Sequence, residues 1–205
     1  PSTTWTPGSG HALAILASFG AVDPALAVQN VVGPGVKPPI TTPIADTNIA
    51  VSAGAIVTSD GSGNSVTVTN TQSGAADALS IDASILMGNI FNSSTLLGTR
   101  DGIDIRSALG TLGGPGFVAG AIINTGLIQG TAESGIELLN SALDGGIQNN
   151  GSAAVIRGGT GGILFGGTSA VEGGIVNEGL IEGTAGDGID FQSAIVTFQG
   201  NITNA

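Results

Sequence analysis

Residues 175–185, Ile-Val-Asn-Glu-Gly-Leu-Ile-Glu-Gly-Thr-Ala, restate residues 122–132, Ile-Ile-Asn-Thr-Gly-Leu-Ile-Gln-Gly-Thr-Ala, with no insertion or deletion between the copies. Each copy runs on into a Gly-Ile step followed by an acid, Gly188-Ile189-Asp190 in one and Gly135-Ile136-Glu137 in the other. Internal repetition of this kind is typical of one supersecondary unit that stacks on copies of itself. The two phrases therefore predict a repeat architecture.

A shorter motif, Gly-x-Ile-x-Asn, marks the period of the repeat. Its isoleucines are 32, 25, 28 and 27 residues apart, at Ile90, Ile122, Ile147, Ile175 and Ile202. Variable spacing is expected where constant strands are joined by loops of changing length. A weaker copy, Val68-Thr69-Asn70, precedes the first by 22 residues.

Apolar residues alternate with polar or small ones inside each period, as in Gly188-Ile189-Asp190-Phe191. Short period-two runs bounded by glycine indicate strands, and each interior glycine would cost a helix about 1 kcal/mol. We predict an all-β fold, a right-handed parallel β-helix of about five or six coils over residues 48–205, with about three short strands per coil. Isoleucine, leucine and valine would fill its interior, and glycines would occupy its corners.

The repeated asparagines have a structural interpretation, which we favour over a ligand role. Asparagine tolerates the left-handed backbone region, and its amide can bond along its own column of the stack. We therefore expect corner positions for Asn92, Asn124, Asn149 and Asn177.

Composition excludes several classes of function. The 205 residues include 15 acidic and 4 basic side chains, for a net charge of −11, which argues against a nucleic-acid partner. The chain has no cysteine and a single histidine, His11. Disulfides, thiolate metal sites, histidine clusters and a Ser-His-Asp triad within the repeats are thereby excluded, and we expect neither a metal nor another cofactor.

Residues 1–47 form a leader that differs from the repeats. Residues 12–22 are an apolar run of 11, too short to span a bilayer but as long as the hydrophobic part of a secretion signal. Ala25-Leu26-Ala27 has the small-x-small form of a cleavage site. Residues 11–27 are therefore a cleaved signal or a cap on the solenoid, and the proline-rich stretch that follows is a linker or an irregular first coil. No transmembrane segment is predicted.

The phrase from Asn177 to Ile189, Asn-x-Gly-x-Ile-x-Gly-Thr-Ala-x-Asp-Gly-Ile, resembles the repeats of autotransporter passenger regions of Gram-negative bacteria. The likeness covers roughly residues 60–205 and concerns the style of repeat, not any one activity. It implies secretion, a location on the bacterial outer surface and a right-handed β-helical stalk. On this resemblance the chain is the N-terminal part of a passenger, whose full-length members end in a membrane β-barrel.

Two acidic columns are the candidate site. Asp104, Glu137 and Asp190 each follow a core isoleucine, with Leu164 at the same position of the intervening coil, and Asp101 and Asp187 form a second column. Carboxylates on adjacent coils can act as the acid and base, or nucleophile, of a glycosidase. Two other interpretations are a solvated outward face, with Arg100 and Arg106 as local ion-pair partners, and weak cation binding. We favour the solvated face, because the repeats lack tyrosine, tryptophan and lysine to hold a sugar.

These observations favour a non-enzymatic, secreted stalk or adhesin whose partners are host or surface glycans or proteins. The alternative is a polysaccharide-degrading β-helix enzyme, of glycosidase or lyase type, that uses Asp104, Glu137 and Asp190. An insertion over residues 109–118 is a candidate contact loop, since solenoid function often lies in inserted loops. Residues 60–64 carry oxygen ligands at alternate positions but favour a glycine-rich turn over a calcium loop. Exposed end strands predict end-to-end self-association.

Overall fold

The computed structural model describes residues 30–42, 48–52, 54–107, 116–192 and 196–205. The predicted signal or cap at residues 11–27 lies outside them, as does most of the predicted contact loop. The described residues form 26 β-strands and no α-helix. Within those ranges, accordingly, no helix is long and apolar enough to cross a membrane.

All strands belong to four parallel sheets, numbered here in the order in which the chain visits them. Sheet 1 contains β1 (Asn30–Val32), β4 (Ile49–Val51), β8 (Leu79–Asp82), β12 (Ile103–Arg106), β16 (Ser134–Leu139), β20 (Gly161–Gly166) and β24 (Ile189–Phe191). Sheet 2 contains β2 (Gly35–Lys37), β5 (Ala55–Val57), β9 (Ile85–Leu86), β13 (Phe117–Val118), β17 (Ala142–Leu143), β21 (Ala170–Val171) and β25 (Thr197–Phe198).

The other two sheets follow in the same way. Sheet 3 contains β3 (Ile40–Thr41), β6 (Asn64–Val68), β10 (Asn89–Asn92), β14 (Ile122–Asn124), β18 (Ile147–Asn149), β22 (Ile175–Asn177) and β26 (Ile202–Asn204). Sheet 4 contains β7 (Gln72–Gly74), β11 (Thr95–Gly98), β15 (Leu127–Gly130), β19 (Val155–Gly158) and β23 (Leu180–Gly183).

The chain visits sheets 1 to 4 in a fixed order, so that each round makes one coil of a parallel β-solenoid. Five coils are complete, from β4 to β23, with β1–β3 before them and β24–β26 after them. The predicted all-β solenoid is confirmed. The right-handed winding stays a prediction, based on the hand that parallel crossover connections almost always adopt. The expectation of three strands per coil is wrong: there are four, because a corner of two to five residues separates sheets 3 and 4.

The register within sheet 3 corrects the predicted start of the motif. Val66 pairs with Ile90 and Val68 with Asn92, so the true counterpart of Ile-x-Asn is Val66-Thr67-Val68. The predicted copy, Val68-Thr69-Asn70, was displaced by two residues. Strand alternation hides such an error, because a shift of two keeps every side chain on the same face.

The solenoid interior is filled with aliphatic side chains in columns. In sheet 1 the column contains Ile49, Leu79, Ile103, Ile136 and Ile163, all fully buried. Each residue lies against its counterparts one coil away on either side, so the interior is one continuous core. Apolar burial of this kind contributes roughly 1.5–3 kcal/mol per side chain.

A column of asparagines, all buried except Asn204, lies beside the aliphatic column of sheet 3. The Nδ2 group of each donates to the Oδ1 atom of the next, at distances of 2.8, 2.8, 2.7 and 2.6 Å, from Asn92 through Asn124, Asn149 and Asn177 to Asn204. We call this column the asparagine ladder. The predicted amide bonding along the column is thereby confirmed.

The ladder also closes the corner between sheets 3 and 4. Asn124 Oδ1 accepts from the Gly126 backbone N–H at 3.2 Å, and Asn124 Nδ2 donates to the Gly126 carbonyl at 3.0 Å. The expectation of a left-handed backbone at these asparagines is wrong: among the described non-glycine residues, positive φ angles occur at Ala83 and Asn140. The side chain makes the corner, and the asparagine backbone stays in its strand.

Candidate functional site

The first acidic column lies in sheet 1. The register places Asp104 beside Glu137, Glu137 beside Leu164, and Leu164 beside Asp190. Asp104 and Glu137 are therefore neighbours on adjacent coils, whereas Leu164 separates Asp190 from them by a full coil. The column brings together two of the three predicted carboxylates.

The second column contributes Asp101 to the same cluster. Its Oδ1 atom accepts from the backbone N–H of Ser134, one coil on, at 2.8 Å. Asp187 lies two coils further along and is exposed. The sequence interpretation missed Asp77, which precedes Leu79 by two residues just as Asp101 precedes Ile103. That shared offset was the available signal.

Two arginines lie among these carboxylates. Arg100 forms a two-point contact with Asp77, Nε to Oδ1 at 3.0 Å and Nη2 to Oδ2 at 2.7 Å. It also approaches Asp101 Oδ2 and Asp104 Oδ2, each at 3.1 Å. The expected pairing with neighbouring aspartates is present, but the strongest contact of Arg100 reaches back one coil.

Arg106 links the two members of the first column. Its Nη2 group contacts Asp104 Oδ2 and lies 3.3 Å from Glu137 Oε2 on the next coil. The acidic cluster, defined as Asp77, Asp101, Asp104 and Glu137, thus has four carboxylates around two guanidinium groups. Cross-coil pairing of this sort ties three successive coils together.

Burial of the acidic cluster differs from the expected solvated face. Asp101 and Asp104 are fully buried, and Glu137 keeps 15% of its side-chain area exposed. Arg100 and Arg106 are about one-third exposed, so the cationic side chains form the solvent side of the cluster. Strand alternation correctly predicts that Asp104 points away from the core. It gives no sign that arginine side chains from other positions cover Asp104.

Burial also changes the acidity of these groups. Desolvation raises the pKa of Asp101 to about 7, although the Ser134 N–H opposes the rise. Desolvation raises the pKa of Asp104 to about 6, against the opposing hydrogen bond from Arg106. The pKa of Glu137 is likewise raised by burial. Two buried oxygens, Asp101 Oδ2 and Asp104 Oδ1, accept no hydrogen bond from the described residues.

This arrangement has limited chemical capacity. Raised carboxyl pKa values suit general acid catalysis, but a general acid must reach the glycosidic oxygen of a polymer, and Asp104 offers it no surface. The carboxylates of Asp77, Asp101 and Asp104 lie within 4.8 Å of one another, as metal ligands do. Arg100 contacts all three, however, and so already supplies a cation at their centre.

The predicted turn at residues 60–64 has the geometry of an Asx turn. Asp60 Oδ1 accepts from the backbone N–H groups of Ser62 and Asn64, at 2.8 and 2.9 Å. A carboxylate that binds its own backbone in this way shapes the turn. The glycine-rich turn, favoured over a calcium loop, is the structure found.

An outward apolar stripe flanks the corner between sheets 3 and 4, and sequence reasoning missed it. One side is the column Phe91, Ile123, Gln148 and Val176, and the other is Thr95, Leu127, Val155 and Leu180. Their apolar members are half-buried or exposed, with Val176 38% and Leu180 39% exposed. We call these apolar residues the apolar ridge: Phe91, Ile123, Leu127, Val155, Val176 and Leu180. Alternation in each strand was its available signal.

Side chains of the last described strands are more exposed than their counterparts one coil earlier. Ile202 is 51% and Phe191 41% exposed, whereas their counterparts one coil earlier, Ile175 and Phe165, are fully buried. A recess of about 260 Å³ opens there, lined by Asn177, Ile181, Gly188, Ile189, Ile202, Thr203 and Asn204. Apolar side chains and unpaired strand edges therefore meet solvent at the same end.

Comparison of the chain with protein-family models, with curated proteins and with solved structures found no match in any of the three.

Proposed function

We propose that this chain is a non-enzymatic stalk or adhesin module of a secreted protein on the bacterial outer surface. The observation that carries the proposal is the uninterrupted register of four sheets through five complete coils, with an asparagine ladder that starts in the second of them. Such a stack is a stiff rod that displays the same positions at regular intervals, which suits display at a distance from the cell. The resemblance of residues 177–189 to autotransporter passenger repeats supports this location.

The apolar ridge supplies the contact surface in this proposal. Its side chains form two neighbouring columns on an otherwise acidic molecule, and exposed apolar stripes commonly mark binding surfaces. Partners on this face are host or surface proteins, or the apolar faces of glycans. Lysine and arginine number only four in the chain, so a partner held by many anionic groups is disfavoured.

Burial of the acidic cluster supports the non-enzymatic form of the proposal. The alternative, a glycosidase or lyase, requires Asp104 and Glu137 to touch a sugar chain, and the Arg106 guanidinium lies between the two carboxylates.

The test measures binding and turnover on the same protein. The purified chain is assayed for attachment to immobilised glycans and host-cell proteins, and for release of new sugar ends from a panel of polysaccharides. The Leu127→Ser/Val155→Ser variant should weaken attachment by roughly tenfold or more, because it removes two central apolar contacts. Asp104→Asn, Glu137→Gln and Asp190→Asn, each checked for folding by circular dichroism, should bind as the parent does.

If the parent cleaves a polysaccharide and these acid variants do not, the proposal is overturned in favour of the enzyme. If the Leu127→Ser/Val155→Ser variant attaches as well as the parent does, the apolar ridge is not the contact surface. Sequencing the complete reading frame tests the passenger identity separately, since further Gly-x-Ile-x-Asn coils followed by a membrane barrel are expected.

A further inference from the structure

The turn between β18 and β19 contains the one Asn-Gly step of the 205-residue sequence, Asn150-Gly151. Gly151 is exposed, its φ angle is +89°, and a Cβ placed on it would meet no atom within 4 Å. No side chain on Gly151 therefore stands beside its peptide nitrogen. An Asn-Gly step matters chemically because that nitrogen can attack the preceding side-chain amide.

A carboxylate from the next coil holds this nitrogen. The Gly151 N–H donates to Glu178 Oε2 at 2.9 Å. Glu178 directly follows Asn177, the partner of Asn149 in sheet 3, so the stacking of coils places it beside the turn. An amide N–H that bonds to a carboxylate has a proton acceptor already in position, which is the geometry of general base catalysis.

The Asn150 side chain is free to react, in contrast to its neighbours. Asn149 is fully buried, and its Nδ2 group donates to Ala154, Asn177 and Leu180. Asn150 is half-exposed, and among the described residues its carboxamide makes no hydrogen bond, although its backbone N–H is fixed on the Asn124 carbonyl at 2.8 Å. A hydrogen bond therefore fixes the backbone of Asn150, whereas none fixes its carboxamide.

We propose that Asn150 is a site of self-catalysed deamidation, with Glu178 as the base. The Gly151 nitrogen attacks Cγ of Asn150 and gives its proton to the Glu178 carboxylate. Cleavage of the Cγ–Nδ2 bond, with return of that proton, releases ammonia and leaves a five-membered succinimide. Water then opens the ring at either carbonyl, so that Asn150 becomes aspartate or isoaspartate.

The product changes the surface at this corner. A new carboxylate lies beside Glu178, and like charges in contact repel. The isoaspartate form also adds a methylene to the main chain in the turn that connects sheets 3 and 4. The reaction thus adds a second negative charge to the corner next to the apolar ridge.

The experiment incubates the folded full chain at neutral pH and follows Asn150 by peptide mass spectrometry, where deamidation adds about 1 Da. Glu178→Gln keeps a hydrogen-bond acceptor of the same length but cannot take the proton, and it should slow the reaction by roughly tenfold or more. Glu172→Gln, at another exposed glutamate, is the matched control and should react as the parent does. Asn149 serves as an internal control and should stay intact.

Two results overturn the proposal. One is no mass change at Asn150 in the folded chain while the urea-unfolded chain reacts. The other is an equal rate in the parent and in a Glu178→Gln variant that circular dichroism shows to be folded.

Discussion

Asn124 Nδ2 lies 2.8 Å from Asn149 Oδ1, one coil further along, and both side chains are fully buried. The same donor serves the Gly126 and Val155 carbonyls, at 3.0 and 3.1 Å. One side chain thus bonds within its own corner and across the coil boundary. Buried amides are costly unless bonded, so the ladder ties the corners together and penalises any shift in register.

Removing one rung should be strongly destabilising. Asn124→Ala leaves Asn92 without its acceptor and Asn149 without its donor inside the ladder. Each buried unsatisfied group costs about 1–3 kcal/mol, so we expect the free energy of unfolding to fall by about 2–4 kcal/mol in urea titration. Asn201→Ala, at an exposed asparagine, should change it by less than about 0.5 kcal/mol. Equal losses in the two variants would contradict a structural role for the ladder.

Replacement of glycine by alanine should have different effects at different positions, according to the space around each glycine. A Cβ on Gly126 would lie 2.0 Å from the Ser94 carbonyl oxygen, which belongs to the backbone of the preceding coil and has no room to move. Gly126→Ala should therefore reduce stability by more than about 3 kcal/mol or prevent folding. A Cβ on Gly161 would meet its nearest atom, the Asp187 oxygen, at 3.7 Å, so Gly161→Ala should be close to neutral. The melting temperatures of the two variants test this prediction. A small decrease for Gly126→Ala would contradict the close packing at that corner.

Stability should decrease as pH rises toward and through neutrality. The pKa of Asp101 is raised from 3.8 to about 7 and that of Asp104 from 3.8 to about 6, both chiefly by burial. A group whose folded pKa exceeds its unfolded pKa stabilises the fold fully below the unfolded value, and loses that stabilisation as pH rises through the folded value. Melting temperature should therefore fall between pH 4 and pH 7, where the folded state binds the extra protons.

Matched variants identify the groups responsible. Asp101→Asn keeps an acceptor for the Ser134 N–H, removes the titrating group and should flatten the pH profile. The groups that face Asp101 are Asp77, Arg100, Asp104, Glu133 and Glu137. Asp187→Asn, at the exposed end of the same column, should leave the profile unchanged. A profile that stays as steep in Asp101→Asn would show that other groups produce it.

Self-association of the 205-residue chain should depend on the surface around Ile202 and Phe191. Ile202 and Phe191 are 51% and 41% exposed beside unpaired strand edges, so sedimentation of the parent should reveal concentration-dependent oligomers. Ile202→Glu places a charge in the apolar recess and should return the chain to monomers. Met87→Ser, at an exposed apolar side chain elsewhere, should not. Monomers at every concentration of the parent would exclude this surface as an association site.

Sequence reasoning predicted the parts of this molecule that repeat. Ile175 and Ile202 differ by one coil in sequence and by one rung in space, because the repeat carries its own register. The number of strands per coil was predicted wrongly because some corners are only two residues long. Two strands that meet at such a corner, as at Asn92 and Thr95, look like one continuous strand in the sequence. The weak first copy was lost because Val68 occupies the asparagine position.

The acidic cluster was predicted in position but not in environment. Asp104 and Glu137 share a column that the repeat reveals directly. Their burial depends on Arg100 and Arg106, whose side chains reach across coils, and no local pattern encodes that reach. Asp77 was missed because Ser80, and not an acid, follows Leu79, so the acidic column that identified the later coils does not extend to this one.

The asparagine ladder gives the solenoid a direction. Every rung donates its Nδ2 group toward the C-terminal end and offers its Oδ1 atom toward the N-terminal end, so the amide dipoles add along the axis. Partners in the ladder are 25 to 32 residues apart, so a new rung needs only the coil already in place. We therefore expect vectorial assembly, in which each finished coil is the template that selects the register of the one beside it.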